Sequence, residues 1–238
     1  MSALGHYLEE EGVATVAISL IRPQTENTKP PRALWVPFEL GRPFGPPSDP
    51  PFQRRVIVAA LRLLERASGP VIIEDFAEDD PRAQPESGWR QPPVPASSGG
   101  SVEALAARLE AEIPLLRSAH ESWLARHGRT AIGLSALSMA DCGRYVADWV
   151  RGKAPPSPRD GFSAPLMLRF AVDDVKAYYL EAGAGAGRPS SRQLGDWFWN
   201  ETAAGAAIHT LRTACHASDD ERLKLIAGNF MVPAARVH

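Results

Sequence analysis

The chain has 238 residues, of which 44% are hydrophobic and 23% are charged, and these values are ordinary for one large globular domain or two small ones. The net charge of -2 argues against a basic protein of the kind that binds nucleic acid or an anionic membrane surface. No apolar run approaches the roughly 18 residues of a membrane span, and no secretory signal is visible. We therefore expect a cytoplasmic protein with no nucleic-acid or membrane partner.

The first predicted elements are a helix and a strand. Ser2 to Glu11 have the pattern of a helix that ends at Gly12, and Val13 to Ser19 resemble a buried strand in their apolar, β-branched character. A helix that leads into a buried parallel strand is the second half of a βαβ unit. The first strand, with the ligand-binding loop at its carboxyl end, would then lie before Met1. We expect a partial Rossmann-like α/β unit whose incomplete sheet could form an oligomer.

A long proline-rich segment follows this strand. Its prolines exclude a helix and discourage strand pairing, except that Ala33 to Val36 could form a short buried strand. Ordered loops of this length are usually functional. A helix is then predicted over Phe52 to Ala67, and a last short strand over Val71 to Ile73.

Residues 76–100 have the composition of a linker, rich in proline, serine, glycine and charge. Trp89 is its one large apolar residue and a candidate to dock on a neighbouring element. We place the domain boundary here. The predicted fold class is therefore a partial α/β domain over residues 1–75, followed by an all-α helical domain over residues 101–238.

The all-α part is predicted to contain five helices with short connections. They cover residues 101–128, which Pro114 kinks or splits, then 138–151, 163–181 and 191–216, and a last helix that begins at Ser218. The GAGAG run at 183–187 is expected to be a flexible connector.

Charged residues in the proline-rich segment form the first candidate site. Arginines beside the carboxyl end of a strand are suited to bidentate capture of a carboxylate or phosphate. The alternative is a solvated loop whose charges pair with one another. The candidate substrate-binding residues are Arg22, Glu26, Arg32, Glu39 and Arg42.

Glu201 is the second candidate, because a helical wheel over 191–216 places it in the middle of an apolar stripe. A carboxylate there would be desolvated and its pKa raised, unless Arg212 or Arg169 pairs with it. Such a group could be a general acid, or it could fix packing against a neighbouring helix. His209 and His120 are further members of a possible site in this half of the chain.

Other patterns of catalytic or metal-binding residues are missing from the sequence. The histidines lack the spacing of metal ligands on one helix, so no metal site is expected. Cys142 and Cys215 show no zinc or redox spacing and are interpreted as small buried hydrophobes. No phosphate-binding loop, dinucleotide fingerprint or nucleophile elbow occurs.

The segment from Gly5 to Val56 resembles the selenoprotein B family of glycine/sarcosine/betaine/D-proline reductases. The resemblance lies in the helix–glycine–strand opening, in the block PRALWVPFELGRPFGPP (Pro31 to Pro47) and in the helix from Phe52. The helical half is similar to the tail of a bacterial branch of that family. The matching blocks are DVKAYYLEA (Asp174 to Ala182), PSSRQLGDWFWNETAAG (Pro189 to Gly205) and ASDDERLKLIAGNFMVP (Ala217 to Pro233).

This resemblance implies reductive cleavage of a C–N bond in a small amino-acid-derived substrate, with a redox protein as a possible partner and without a bound cofactor. The family's redox residue is a selenocysteine or cysteine in a short loop immediately before the helix that begins here at Ser2. A selenocysteine codon, UGA, is normally interpreted as a stop, so Met1 is expected to be an internal methionine. No residue of this sequence matches the catalytic position. For the charged residues of the proline-rich segment, the resemblance implies only that they line the pocket facing the loop with the redox residue.

Three hypotheses follow from the sequence. The preferred one is the C-terminal portion of a selenoprotein B-like reductase. The second is a non-catalytic binding or subunit-interaction module that completes its sheet against another chain. The third is a separate site around Glu201, His209 and His120, which requires that these side chains converge.

Overall fold

The computed structural model describes residues 2–66, 69–81, 88–95, 100–233 and 236–237. The chain divides into two compact units, Met1–Gln84 and Pro85–His238. The first contains a three-stranded parallel sheet with helices, and the second is mainly helical, which confirms the predicted fold class. None of the helices in the described ranges has the length and apolarity that crossing a membrane requires.

The sheet of the first unit has three short strands in the order β1-β2-β3. Strand β1 is Ala17–Ser19, β2 is Arg32–Trp35 and β3 is Ile72–Asp75. Ala17 lies opposite Ala33, and Arg32 lies opposite Ile72. Because all neighbouring strands are parallel, their carboxyl ends meet at one edge of the sheet. Strand β2 is central, and its Ala33 and Leu34 are buried.

Strand β1 is shorter and less buried than the sequence predicted. Only three of the residues from Val13 to Ser19 are in the strand, and all three are half-buried. Val13 itself is 52% exposed. The reason is the position of β1 at the side of the sheet, where it pairs with β2 alone among the described strands.

The helices of the first unit are α1 (Ser2–Glu10), α2 (Arg22–Thr28) and α3 (Pro50–Arg62). Helix α2 corrects the expectation that prolines exclude a helix here, because Pro23 lies in its first turn, where a missing N–H leaves no bond unmade. Pro50 and Pro51 begin α3 in the same way, and the Asp49 side chain accepts a hydrogen bond from Phe52 N at 3.1 Å. A 3-10 turn over Leu63–Glu65 ends this helix. The predicted end at Ala67 lies outside the described residues.

The core of the first unit joins the sheet to α3 through aromatic side chains. Phe38 and Phe52 meet edge to face with their centroids 5.5 Å apart, and Phe76 lies 5.9 Å from the first ring and 6.0 Å from the second. Farther along, Glu78 accepts hydrogen bonds from Arg55 of α3. The first residues of the predicted linker therefore pack against the α/β unit.

The second unit contains seven helices in the described ranges. They are α4 (Val102–Leu115), α5 (Arg117–His127), α6 (Met139–Val150), α7 (Ala164–Gly185), α8 (Ser191–Glu201), α9 (Ala203–His216) and α10 (Glu221–Ile226), which continues into a π-helical turn over Ala227–Met231. The predicted helix over 101–128 is split at Leu116, after Pro114. The predicted helix over 191–216 is split at Thr202, which is extended and whose side chain caps α9 by accepting from Gly205 N at 3.0 Å.

The GAGAG run is a close packing contact and not a flexible connector. Its first three residues belong to α7. A Cβ on Gly183 would lie 2.4 Å from the Leu194 side chain, and a Cβ on Gly185 would lie 1.9 Å from the backbone oxygen of Ala119. The two glycines therefore let α8 and α5 approach α7 closely. Trp89 docks beside them and donates from Nε1 to Gly183 O at 3.1 Å.

Candidate functional site

The carboxyl edge of the sheet brings together polar and aromatic side chains from all three strands. Ser19, Trp35 and Asp75 are the last residues of β1, β2 and β3. Arg22, in the first turn of α2, lies 5.6 Å above the Trp35 ring and donates hydrogen bonds to Asp75 and, at 2.8 Å, to Glu26. The hydrogen bond to Asp75 is the largest cause that raises the pKa of Arg22, and the hydrogen bond to Glu26 is the next. Two carboxylates thus pair with this guanidinium through Nε and Nη1, so an anionic ligand would meet a charge that the protein already compensates.

The predicted loop set is divided between the two edges of the sheet. Arg32 is the first residue of β2 and lies at the amino edge, where its Nη1 donates to Glu9 Oε1 at 2.5 Å. Glu9 also accepts from Thr15 N at 2.6 Å, and the hydrogen bond from Arg32 is the main reason that its pKa is lowered. Arg32 therefore ties α1 to the start of the sheet and does not join Arg22.

The remaining pair of the set, Glu39 and Arg42, is exposed in the segment that follows β2. Arg42 Nη1 lies 3.9 Å from Glu39 Oε2. Arg22–Glu26 and Arg42–Glu39 are thus pairs within the set, which is the arrangement of the alternative interpretation. The expected convergence of all five side chains on one ligand is not observed.

A cavity of about 740 Å³ lies beside β1. Its lining comes from the first turns of α1, from the whole of β1, from α2 and from Leu40. The helices are joined at this point, because Ser2 Oγ lies 2.9 Å from Thr28 Oγ1 and His6 Nε2 donates to Lys29 O at 2.8 Å. The Ser19 and Thr25 hydroxyls are hydrogen-bonded to each other at the cavity wall. The cavity is therefore a concave surface with a few fixed polar groups, as small-molecule sites are.

The side of β1 that faces away from β2 has no partner strand among the described residues. Val36 N donates to Ser19 O, so the backbone groups of Ser19 point towards β2. Because successive residues of a parallel strand point to opposite sides, the backbone groups of Ile18 point towards the open side. Ile18 also lines the cavity. Ile18 therefore belongs both to the open side of β1 and to the lining of the cavity.

The expectation of a desolvated Glu201 is wrong. Glu201 is exposed, and its Oε1 accepts from Gln91 Nε2 at 2.9 Å. The helical wheel assumed one continuous helix, whereas the chain changes direction at Thr202, between α8 and α9. His209 is half-buried with its ring 5.3 Å from Trp199, and His120 donates to Glu181 at 2.9 Å. The members of the hypothetical third site thus contact three different neighbours.

Buried carboxylates occur where the sequence analysis did not predict them. Glu112 is fully buried and accepts from Ala203 N at 2.8 Å and from Tyr179 Oη at 3.1 Å, and burial is the main reason that its pKa is raised. Asp174 and Glu181, two turns apart on α7, accept from the segment that connects α5 to α6. The sequence signal that could have identified these carboxylates is a polar residue at a core-facing position of a predicted helix. These groups hold loops and helix ends, which is a structural role.

Both cysteines of the chain are buried free thiols in the second unit, as predicted. Burial raises the pKa of Cys142 to about 12 and that of Cys215 to about 11. Neither is a thiolate at neutral pH, and only the thiolate is a redox nucleophile. Within the described ranges, the histidine, cysteine, aspartate and glutamate side chains form no group that could hold a metal ion.

Comparison with protein-family models, curated proteins and solved structures finds no match to this chain. The resemblance to the reductase family therefore stays a prediction from the residues quoted for it.

Proposed function

We propose that the chain is the C-terminal portion of a selenoprotein B-like reductase, whose redox residue is supplied from outside these 238 residues. The observation that carries the proposal is the open side of β1 together with the cavity beside it. In the family, the redox residue immediately precedes the helix that begins here at Ser2, and Ser2 lines that cavity. A redox residue in that position would stand at the cavity and face its fixed polar groups.

Helix α1 supports this assignment through its direction. It ends at Glu10 and leads into β1 at the amino edge of the sheet, where Glu9 contacts Thr15 and Arg32. A helix that returns to the amino edge before a parallel strand is the crossover of a βαβ unit. A strand that paired with the open side of β1 would complete that unit.

The chemistry proposed is replacement of a C–N bond by a C–H and an N–H bond in a small amino-acid-derived substrate. This step takes up an electron pair and protons, which the proposal assigns to a dithiol redox protein as the electron donor. Cys142 and Cys215 cannot take the part of the redox residue, because both are buried thiols with raised pKa values in the other unit.

Selective alkylation of the protein isolated from its native host tests the proposal. A redox selenol or low-pKa thiol reacts at a mildly acidic pH at which ordinary thiols, with a pKa of about 8.5, are protonated. We expect the label on a peptide immediately ahead of Ser2 and none on Cys142 or Cys215. A protein that stays unlabelled until it is denatured would contradict the proposal.

The open side of β1 also favours a second candidate, a subunit-interaction module without catalysis. Unpaired backbone groups at a sheet edge recruit further strands, and Leu40, which lines the cavity beside β1, is 74% exposed. This candidate predicts that two copies of the chain associate through β1. Light scattering over a range of concentrations tests it: a dimer supports the module, and a monomer throughout removes it.

A further inference from the structure

The second unit has a cavity of its own, of about 920 Å³, between α4, α5, α6 and the segment 130–138. This volume is in the range of small-molecule sites, which are about 300–1,000 Å³. Its apolar lining includes Ile113, Leu124, Ile132 and Met139. Tyr178 also lines it, and its hydroxyl donates to Ile113 O at 2.9 Å, which fixes the ring in place.

Several charged groups of this cavity are neutralised by the protein itself. Glu110 accepts two hydrogen bonds from Arg151, at 3.0 and 3.1 Å. Arg144 donates to Asp141 at 2.9 Å. His120 is likewise bonded to a protein carboxylate, that of Glu181. None of these groups requires a ligand.

Arg117 and Glu121 differ from those groups. They are four residues apart on α5, a spacing at which opposite charges usually pair, and both are exposed at the cavity. No nitrogen–oxygen contact within 4.0 Å joins them. Neither side chain makes a hydrogen bond or ion pair with any residue of the described ranges. One cavity therefore presents an unpaired cation and an unpaired anion that are held apart.

Both charges act on the Tyr178 hydroxyl. Burial is the main cause that raises the pKa of Tyr178, to about 12, while Arg117 lowers it and Glu121 raises it. Arg117, Glu121 and Tyr178 line the same cavity, so both charges face the space that a ligand would occupy.

We propose that this cavity binds a zwitterion that carries a bulky apolar group. The anionic group of the ligand pairs with Arg117, its cationic group pairs with Glu121, and its apolar body covers the half-buried side chains of Leu124, Ile132 and Met139. Charge-assisted hydrogen bonds supply the affinity at the two ends, and burial of apolar surface supplies it in between. The assignment concerns the second unit alone and does not depend on the proposed function.

Titration calorimetry on the full chain tests this site with phenylalanine as the probe. N-Acetylphenylalanine lacks the cation, phenylalanine amide lacks the anion, and glycine keeps both charges but lacks the apolar body. We expect saturable binding of phenylalanine and affinities at least about tenfold weaker for each of the other three. The absence of saturable phenylalanine binding at millimolar concentration would overturn the proposal.

Two variants identify the residues involved. Arg117→Gln removes the partner of the ligand's anion, so this variant should bind phenylalanine as weakly as phenylalanine amide. Glu121→Gln removes the partner of the ligand's cation, so this variant should bind phenylalanine as weakly as N-acetylphenylalanine. Both residues are exposed and have no partner among the described residues, so the variants should fold normally by circular dichroism. Arg129→Gln is the matched control, because Arg129 is exposed outside the cavity and should leave the affinity unchanged. Phenylalanine affinity that neither cavity variant changes would show that the site is assigned wrongly.

Discussion

Replacing Asp174 by asparagine removes a buried charge that holds the segment before α6 against α7. Asp174 is fully buried. Its Oδ1 accepts from Gly133 N at 2.9 Å and Leu134 N at 3.0 Å, and its Oδ2 accepts from Ser135 N at 2.9 Å and Ser135 Oγ at 2.5 Å. An asparagine can keep its oxygen towards the first two donors. Its amide nitrogen then faces Ser135 N, so two donors meet and the buried Ser135 N loses its acceptor, while the Ser135 hydroxyl has to turn from donor to acceptor.

The expected loss follows from these bonds. Each buried polar group left without a partner costs about 1–3 kcal/mol, and hydrogen bonds to a charged acceptor are worth about 1.5–3 kcal/mol. We therefore expect Asp174→Asn to lower the free energy of unfolding of the second unit by about 3–5 kcal/mol. The measurement is urea unfolding followed by far-ultraviolet circular dichroism, with the slope of the transition checked for a change of mechanism.

Asp173→Asn is the matched control, on the same helix one residue away. Its carboxylate is 24% exposed and pairs with Lys176 at 2.7 Å and Arg169 at 3.7 Å. Pairs of this kind are typically worth less than about 1 kcal/mol. If both variants lost the same small amount, the reasoning that assigns the segment's stability to Asp174 would be refuted.

Two further predictions concern helix packing and pH. Gly185→Ala places a Cβ against a backbone oxygen and should lower the free energy of unfolding in urea by about 1–3 kcal/mol. The control Gly195→Ala meets only the end of the Arg236 side chain and should be neutral or stabilising. Equal effects of the two variants would contradict the packing role of Gly185. The pKa of buried Glu112 is raised above its ordinary value of 4.5, so the folded state retains a proton there that the unfolded state releases, and this contribution to stability is lost as the pH rises through the folded pKa. Glu112→Gln should remove this pH dependence, so that the difference in stability from wild type grows in favour of the variant from acid to neutral pH; a constant difference would contradict it.

The sequence predicted the architecture well because local periodicity decides it. An apolar run such as Ala33 to Val36 and the long apolar stripe of α7 are each visible in a short window. The order of the two units follows from the same signals. Prolines led to a wrong prediction only where they begin a helix, as Pro23 does in α2.

The candidate site was predicted less well, because it depends on where elements end and meet. A single capping residue, Thr202, ends one helix and begins another, and this moved Glu201 from an expected core position to the surface. Arg32 and Arg22 are close in sequence, but a strand and a helix separate them to opposite edges of the sheet. The partners of Asp174 lie about forty positions earlier in the chain, beyond the reach of any periodic pattern.

The intact mass and selenium content of the protein from its native host test the central claim most directly. The account predicts a species heavier than the 25.8 kDa of this sequence that carries selenium, or a cysteine in its place, ahead of Ser2. A native mass of 25.8 kDa without selenium would contradict it, because no residue would then be left to perform the redox step at the cavity beside β1.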